Sequence, residues 1–147
     1  MVDVTAKAET RREAVACGLV LMKPETAHAV EAGGVAKGDV LGTAKVAGIM
    51  AAKQTGAIIP MCHPLQLTGV DVDFSINAEA GEIAITATVK TVGRTGVEME
   101  AMTAVGVAAL TIYDMCKSAD REIVISDVRL VKKSGGKSGT FERETVR

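Results

Sequence analysis

The segment from about Val97 to Lys117 constrains the fold more than any other part of the chain. It predicts a long helix whose apolar residues lie on nearly every side: Met99, Met102, Val105, Val107, Ala108, Ala109, Leu110, Ile112, Met115 and Cys116. A helix that is apolar all round is buried all round. A single sheet cannot hide it completely, so we expect this chain to form an obligate oligomer.

The remaining segments predict an α+β domain. Strands are expected at residues 13–22, 67–76, 82–92 and 122–131, and helices at 24–34, 40–55 and 97–117. Asp39 is the expected N-cap of the second helix and Gly56 its end. If the first short helix is left out, the order of elements along the chain is βαββαβ. This order predicts a ferredoxin-like fold, in which helices cover one face of a four-stranded antiparallel sheet. We expect one domain over residues 1–147, with residues 1–12 and 134–147 flexible.

Composition narrows the class of protein. The 147 residues include 17 basic and 18 acidic side chains, a net charge of −1, which argues against a nucleic-acid or membrane-surface partner. Cys17, Cys62 and Cys116 are widely spaced, which fits a reduced protein and predicts no metal site. We find no apolar run long enough for a membrane span and no signal peptide, so a cytoplasmic protein is expected.

The first motif that could carry chemistry is Met61-Cys62-His63, which lies between two prolines. Prolines fix the backbone, which suits a site that needs a rigid loop. The alternative is a structural cysteine beside a histidine that is satisfied by a backbone carbonyl. The spacing alone favours that alternative.

A second motif, Gly93-Arg94-Thr95-Gly96, precedes Glu98, Met99 and Glu100 at the start of the long helix. Backbone N–H groups at a helix start can bind an anion. The alternative, which the pattern alone favours, is that the two glutamates only complement the helix macrodipole. They are two residues apart, so they point to different sides of the helix.

Asp114 and Lys117 lie at the other end of the same helix, on one face. They form either a surface ion pair or, in a dry cleft, a pair that exchanges protons with a substrate. Glu100 and Asp114 are roughly 21 Å apart along the helix at 1.5 Å per residue. If both serve one site, either the ligand is long or two subunits build the site.

Lysines form the fourth group: Lys37, and the set Lys132, Lys133 and Lys137 around a Gly-rich stretch. Lysine and glycine in a mobile loop suit phosphate contacts. The alternative is a solvated tail.

Taken together, these motifs resemble the cyclic pyranopterin monophosphate synthase family, also called molybdenum cofactor biosynthesis protein C. The matching segments cover most of the chain in the family's order: MVDVTAKAETRREA, KGDVLGTAKVAGIMAAKQT, IIPMCHPLQLTGVDV, GRTGVEMEAMTAVGVAALTIYDMCK and VRLVKKSGGKSG. The resemblance implies a ferredoxin-like fold and a hexamer built as a trimer of dimers. It also implies a lyase that converts 3′,8-cyclo-7,8-dihydro-GTP, made by a separate radical SAM enzyme, to cyclic pyranopterin monophosphate and pyrophosphate.

The resemblance also implies the site. Asp114 matches the family's catalytic aspartate and Lys117 its lysine partner. The matched substrate-binding and further active-site positions are Met61, Cys62, His63, Met99, Glu100, Lys37, Glu98 and Lys133. No metal or organic cofactor is implied. The alternative from another class is a non-catalytic ferredoxin-like sensor of small ligands, because fold alone does not fix function.

Overall fold

The computed structural model describes residues 1–144. Its elements are β1 (Thr10–Leu21), α1 (Pro24–Glu31), α2 (Val40–Ile58), β2 (Leu67–Asn77), β3 (Glu82–Gly93), α3 (Glu98–Cys116), β4 (Val124–Ser134) and β5 (Phe141–Glu142). The strands form one antiparallel sheet in the order β2-β3-β1-β4-β5. The first four strands in this order have the ferredoxin-like topology, which confirms the predicted α+β class.

The sheet has five strands where four were predicted. The two residues of β5 pair with the end of β4, and the Arg143 N–H donates to the Val131 carbonyl at 2.8 Å. A strand of two residues is too short to show an alternating pattern, which explains why it was missed. Strand β5 lies in the segment 134–147, which was expected to be flexible. Residues 145–147 of that segment are outside the part of the chain that the structure describes. The mobility of both terminal segments stays a prediction.

The core lies between one face of the sheet and the helices. Alternate residues of the two central strands point into it and are buried: Ala14, Ala16 and Val20 of β1, and Ile83, Ile85 and Val89 of β3. From α3, Ala101, Ala104, Val105, Ala108 and Ile112 meet them. The register pairs Ala16 with Ala87, so the small side chains of β1 and β3 lie side by side beneath the helices. Small residues replace aromatic ones here, and they let the backbones approach closely.

The two long helices touch through a glycine. A Cβ atom at Gly48 of α2 would lie 3.0 Å from the Ala104 carbonyl oxygen and 3.4 Å from the Ala108 Cβ of α3. This close approach explains why α2 tolerates a residue of low helix propensity. Gly56 was expected to end α2, but the helix continues to Ile58. Gly56 instead lies against Pro64, whose Cα would be 3.1 Å from an added Cβ.

The long helix α3 is not buried on every side in the protomer. Leu110 is 59% exposed and Met99 is 38% exposed. By length and composition α3 also passes as a membrane span, contrary to the expectation that no such run exists, but half of it is buried inside this fold. It is therefore the core helix of the domain, with one apolar stripe left uncovered.

Candidate active site

Three charged side chains meet where α2 begins and α3 ends. Lys117 donates to Asp114 Oδ1 at 2.7 Å, and Lys37, in the loop before α2, donates to Asp114 Oδ2 at 2.9 Å. The Lys37 ammonium also donates to the Asp114 carbonyl oxygen at 2.9 Å. The Asp39 carboxylate caps α2 through the Gly42 N–H at 2.9 Å, which fixes the helix start beside Lys37. We call Lys37, Asp114 and Lys117 the lysine–aspartate cluster.

The electrostatics of this cluster follow from its hydrogen bonds. Those from Lys117 and then Lys37 lower the pKa of Asp114 to about 2. Asp114 is therefore a carboxylate at neutral pH, and both of its oxygens accept from ammonium groups. Of the two alternatives for this pair, the surface ion pair describes the single protomer, because the Asp114 side chain is 55% exposed. Lys37 was grouped with the C-terminal lysines on the sequence alone, but in the structure Lys37 contacts Asp114.

A second group of predicted residues surrounds a cavity of about 240 Å³ at the opposite ends of the same helices. The loop after α2 contributes Met61, Cys62 and His63, and the start of α3 contributes Glu98, Met99 and Glu100. We call this the acidic cavity. The close approach of Gly56 to the main chain of His63 and Pro64 holds the loop against α2. Leu65 and Thr95 also line the cavity, and only Thr95 had a signal in the sequence, as part of the glycine-containing motif.

Burial controls the protonation of two groups in the acidic cavity. The Glu100 side chain is almost fully buried, and burial raises its pKa, with a further contribution from the negative charge of Glu98. Burial also raises the pKa of the Cys62 thiol, as does the nearby Glu100. Cys62 is therefore a neutral thiol near pH 7, which argues against a thiolate nucleophile.

The two glutamates point to different sides of α3, as their spacing predicted. Glu98 is partly exposed and forms an ion pair with Lys133 of β4 at 3.7 Å. Lys133 also donates to the Ser138 hydroxyl. Lys133 is thus at the edge of the acidic cavity and not in a free tail.

His63 contacts the N-terminal segment. Its Nε2 lies 2.7 Å from the Val2 carbonyl oxygen, so this imidazole is satisfied by a backbone carbonyl, as the alternative interpretation of the motif expected. The N-terminus donates to the Met61 sulfur at 3.3 Å, and Arg94 donates to the Thr5 carbonyl at 3.1 Å. The first residues therefore lie across the loop that carries His63.

Within one protomer, the predicted site residues form two groups. The lysine–aspartate cluster lies at the C-terminal end of α3 and the acidic cavity at its N-terminal end. Glu100 and Asp114 are fourteen positions apart, which separates them by roughly 21 Å along the helix. One small reacting centre cannot contact both groups of the same chain.

The fold and these two groups define a class of protein: a ferredoxin-like α+β enzyme that has a cluster of paired charges at one end of α3 and a half-open cavity at the other. Sequence comparison narrows the class further. The chain belongs to the MoaC family, whose family model matches residues 1–136.

Individual relatives match the chain over nearly its whole length. A protein of Thermoanaerobacter pseudethanolicus is 64% identical over 144 residues, covering 98% of this chain and 91% of the relative. One of Heliobacterium modesticaldum is 60% identical with the same coverage, and one of Clostridium perfringens is 59% identical, covering 96% of this chain and 89% of its own. All three relatives are named cyclic pyranopterin monophosphate synthase.

Proposed function

We propose that this protein is a cyclic pyranopterin monophosphate synthase, a lyase of molybdenum cofactor biosynthesis. Its substrate is 3′,8-cyclo-7,8-dihydro-GTP, supplied by a separate radical SAM enzyme. The reaction builds the pyranopterin ring system, forms a cyclic phosphate and releases pyrophosphate. Membership of the MoaC family, with relatives of that name from 57% to 64% identical, carries the proposal.

The lysine–aspartate cluster supplies the proton transfers that ring opening and reclosure need. Asp114 is ionised and can accept a proton, and the Lys117 and Lys37 ammonium groups can donate one. An anionic oxygen of the substrate competes with the Asp114 carboxylate for the same two ammonium groups. Phosphate cyclisation then needs positioning and charge neutralisation more than a nucleophilic side chain.

The acidic cavity binds the part of the substrate that carries hydrogen-bonding ring groups. Glu100 is buried, which raises the pKa of its carboxyl, and the oxygens of that carboxyl can form hydrogen bonds with ring groups of the substrate. Met61, Cys62, His63, Met99 and Glu98 form its walls. Lys133 lies at the edge of this cavity, where a substrate phosphate can replace Glu98 as its ion-pair partner.

Two protomers complete one site. Met99, Gly106, Leu110 and Asp114 lie along one side of α3, and each is exposed or partly exposed. If two copies of this stripe pack antiparallel about a two-fold axis near Gly106, Asp114 of one protomer lies beside Met99 of the other. Exposed apolar side chains support such a contact, since Val46 and Met50 of α2 are exposed as well as Leu110 of α3.

A hexamer, built as a trimer of such dimers, is the proposed assembly, and the cytoplasm the proposed location. No metal or organic cofactor is proposed. Within residues 1–144, no group of three or more His, Cys, Asp or Glu side chains is arranged to hold a metal ion. The substrate-binding and catalytic roles of all these residues are part of the proposal.

The experiment is product formation from 3′,8-cyclo-7,8-dihydro-GTP by the purified protein, with pyrophosphate release measured alongside. The wild type is expected to form both products. Asp114→Asn and Lys117→Ala are expected to lose turnover while keeping the wild-type circular dichroism and oligomer size. The matched control is Lys45→Ala, which removes a partly exposed lysine that is paired with Asp71 of β2 and belongs to neither group.

Binding of the substrate without turnover by the wild type would instead support the sensor alternative. Near-normal turnover in Asp114→Asn would reject the assigned catalytic role. Lys37→Ala and Lys133→Ala are expected to weaken substrate binding, and unchanged affinity would count against their contacts with phosphate.

A further inference from the structure

A buried acidic side chain follows Lys117 at the end of α3. Asp120 is only 2% exposed. Its Oδ2 accepts from the Lys23 N–H at 2.8 Å, and its Oδ1 accepts from the Glu122 N–H at 3.0 Å. Burying a carboxylate costs free energy unless its oxygens are hydrogen-bonded, and here both are. Asp120 therefore joins the end of α3 to the connection between β1 and α1.

The last turn of α3 closes without a glycine. Residues 117–122 contain no glycine, and none of them has a positive φ. Helices commonly end on a glycine in the left-handed region, which lets the chain turn back and satisfy the last carbonyl groups. Here the Ala119 and Asp120 N–H groups both donate to the Cys116 carbonyl, at 2.9 and 3.0 Å. The path of the chain after Lys117 therefore depends on where Asp120 is held.

The position of Asp120 is electrostatically unfavourable for the helix itself. The C-terminal end of a helix carries a partial negative charge, which favours cations nearby and disfavours carboxylates. Burial raises the pKa of the Cys116 thiol in the last turn, and the negative charge of Asp120 raises that pKa further. An acidic side chain at this place is thus explained by its contact with the β1–α1 connection and not by the needs of α3 alone.

The connection that holds Asp120 is itself fixed. The Met22 N–H donates at 2.8 Å to the carbonyl of Gly81, in the turn between β2 and β3. Gly81 has a φ of 67°, and a Cβ atom added there would collide with the Met22 carbonyl oxygen. The Lys23 carbonyl accepts from the Thr26 N–H at 3.0 Å, at the start of α1. The Lys23 N–H is therefore a fixed donor for the Asp120 carboxylate.

The lysine–aspartate cluster lies on the turn that Asp120 closes. Lys117 is the C-cap of α3, and its ammonium donates to Asp114 at 2.7 Å. Lys37 reaches the same carboxylate from the loop before α2. A shift of the last turn of α3 would move the Lys117 ammonium relative to Asp114, and Lys37 would not follow it.

We propose that Asp120 is a positioning residue for the reaction: by holding the last turn of α3 on the β1–α1 connection, it sets the Lys117 ammonium against Asp114. This inference rests on the proposed function and deepens it. The buried Asp120 side chain acts through Lys117 and not on the substrate. A misplacement of about 1 Å can cost about a hundredfold in rate. Loss of the anchor is therefore expected to lower kcat more than it raises KM.

Two variants break the anchor from opposite sides. Asp120→Asn replaces one accepting oxygen by an amide nitrogen, which cannot accept from an N–H. Lys23→Pro removes the N–H donor, and the φ of −66° at Lys23 is one that proline adopts. Lys23→Ala is the matched control, because it keeps the N–H and loses only an exposed ion pair with Glu122. Ile85→Val removes one methylene from the buried core and controls for lowered stability.

The experiment measures kcat and KM with 3′,8-cyclo-7,8-dihydro-GTP, and the titration midpoint of Asp114 by carbon NMR. Asp120→Asn and Lys23→Pro are each expected to lower kcat about tenfold to a hundredfold, while KM changes by about twofold or less. The midpoint of Asp114 is expected to rise in both, because the hydrogen bond from Lys117 is the largest cause of its low pKa. Lys23→Ala and Ile85→Val are expected to match the wild type in all three quantities.

The proposal is overturned if Asp120→Asn or Lys23→Pro, folded by circular dichroism, keeps the wild-type kcat and Asp114 midpoint. It is also overturned if Ile85→Val lowers kcat as much, since lower stability alone would then explain the loss. If Asp120→Asn does not fold, Lys23→Pro decides. The titration needs no substrate, so a wild type without turnover would reject the proposed function while the Asp114 midpoints still test the anchor.

Discussion

Alanine at Gly48 tests the packing that holds the two ends of α2 and α3 together. The added methyl group would lie 3.0 Å from the Ala104 carbonyl oxygen, 3.3 Å from Val72 Cγ2 and 3.4 Å from Ala108 Cβ. The nearest of these atoms belongs to the backbone of a buried helix and cannot rotate away. We therefore expect α2 and α3 to be forced apart.

Two opposing effects set the size of the change. Alanine gains about 1 kcal/mol over glycine in helix propensity. Overpacking a well-filled core costs about 1–3 kcal/mol. The net expectation is a loss of about 1 kcal/mol in the free energy of unfolding, and for a chain of this size a fall of about 2–4 °C in Tm.

The assay is urea denaturation followed by circular dichroism at fixed protein concentration, with calorimetry for Tm. Lys53→Ala, an exposed change in the same helix, is the control and is expected to stay within about 0.5 kcal/mol of the wild type. If Gly48→Ala is instead about 1 kcal/mol more stable than the wild type, the helices are not in close contact and the reasoning is refuted.

Three further outcomes are expected. The Asp114 carboxyl should titrate at about pH 2 in a carbon NMR titration and at higher pH in Lys37→Ala; an ordinary midpoint in the wild type contradicts the cluster. Leu110→Glu should dissociate the oligomer in sedimentation experiments, while Val92→Glu, at a similarly exposed residue of β3, should not; the reverse result rejects the α3 interface. Glu100→Gln should become more stable relative to the wild type as the pH rises above 4.5, and this difference should then level off. The reason is that the raised pKa of Glu100 makes its ionisation unfavourable in the folded protein; a difference that grows toward acid pH would have the wrong sign.

The sequence predicted the main elements because their patterns are local. The patterns of β2 and β3 and the Asp39 cap each depend on neighbours in the chain. The end of α2 was misplaced because Gly56 was taken for a helix stop. Its actual contact, with Pro64, depends on how the following loop folds back, which no local pattern encodes.

The candidate site was harder to predict because its parts are brought together by tertiary packing. Lys37 and Asp114 are 77 positions apart, and only the antiparallel packing of α2 and α3 joins them. The sequence left the exposure of Asp114 open, because the apolar residues around it say little about which side of α3 faces the sheet. The resemblance to a family named the site residues, but the two groups and their separation needed coordinates.

The shared site between protomers can be tested by mixing two inactive variants. Asp114→Asn and His63→Ala are coexpressed with different tags, and product formation by the mixed oligomers is measured. If each site takes Asp114 from one protomer and His63 from its partner, one site in each mixed dimer is intact, and random pairing restores about a quarter of wild-type activity. Activity no higher than that of either variant alone would contradict the account, because it would mean that each protomer carries its own complete site.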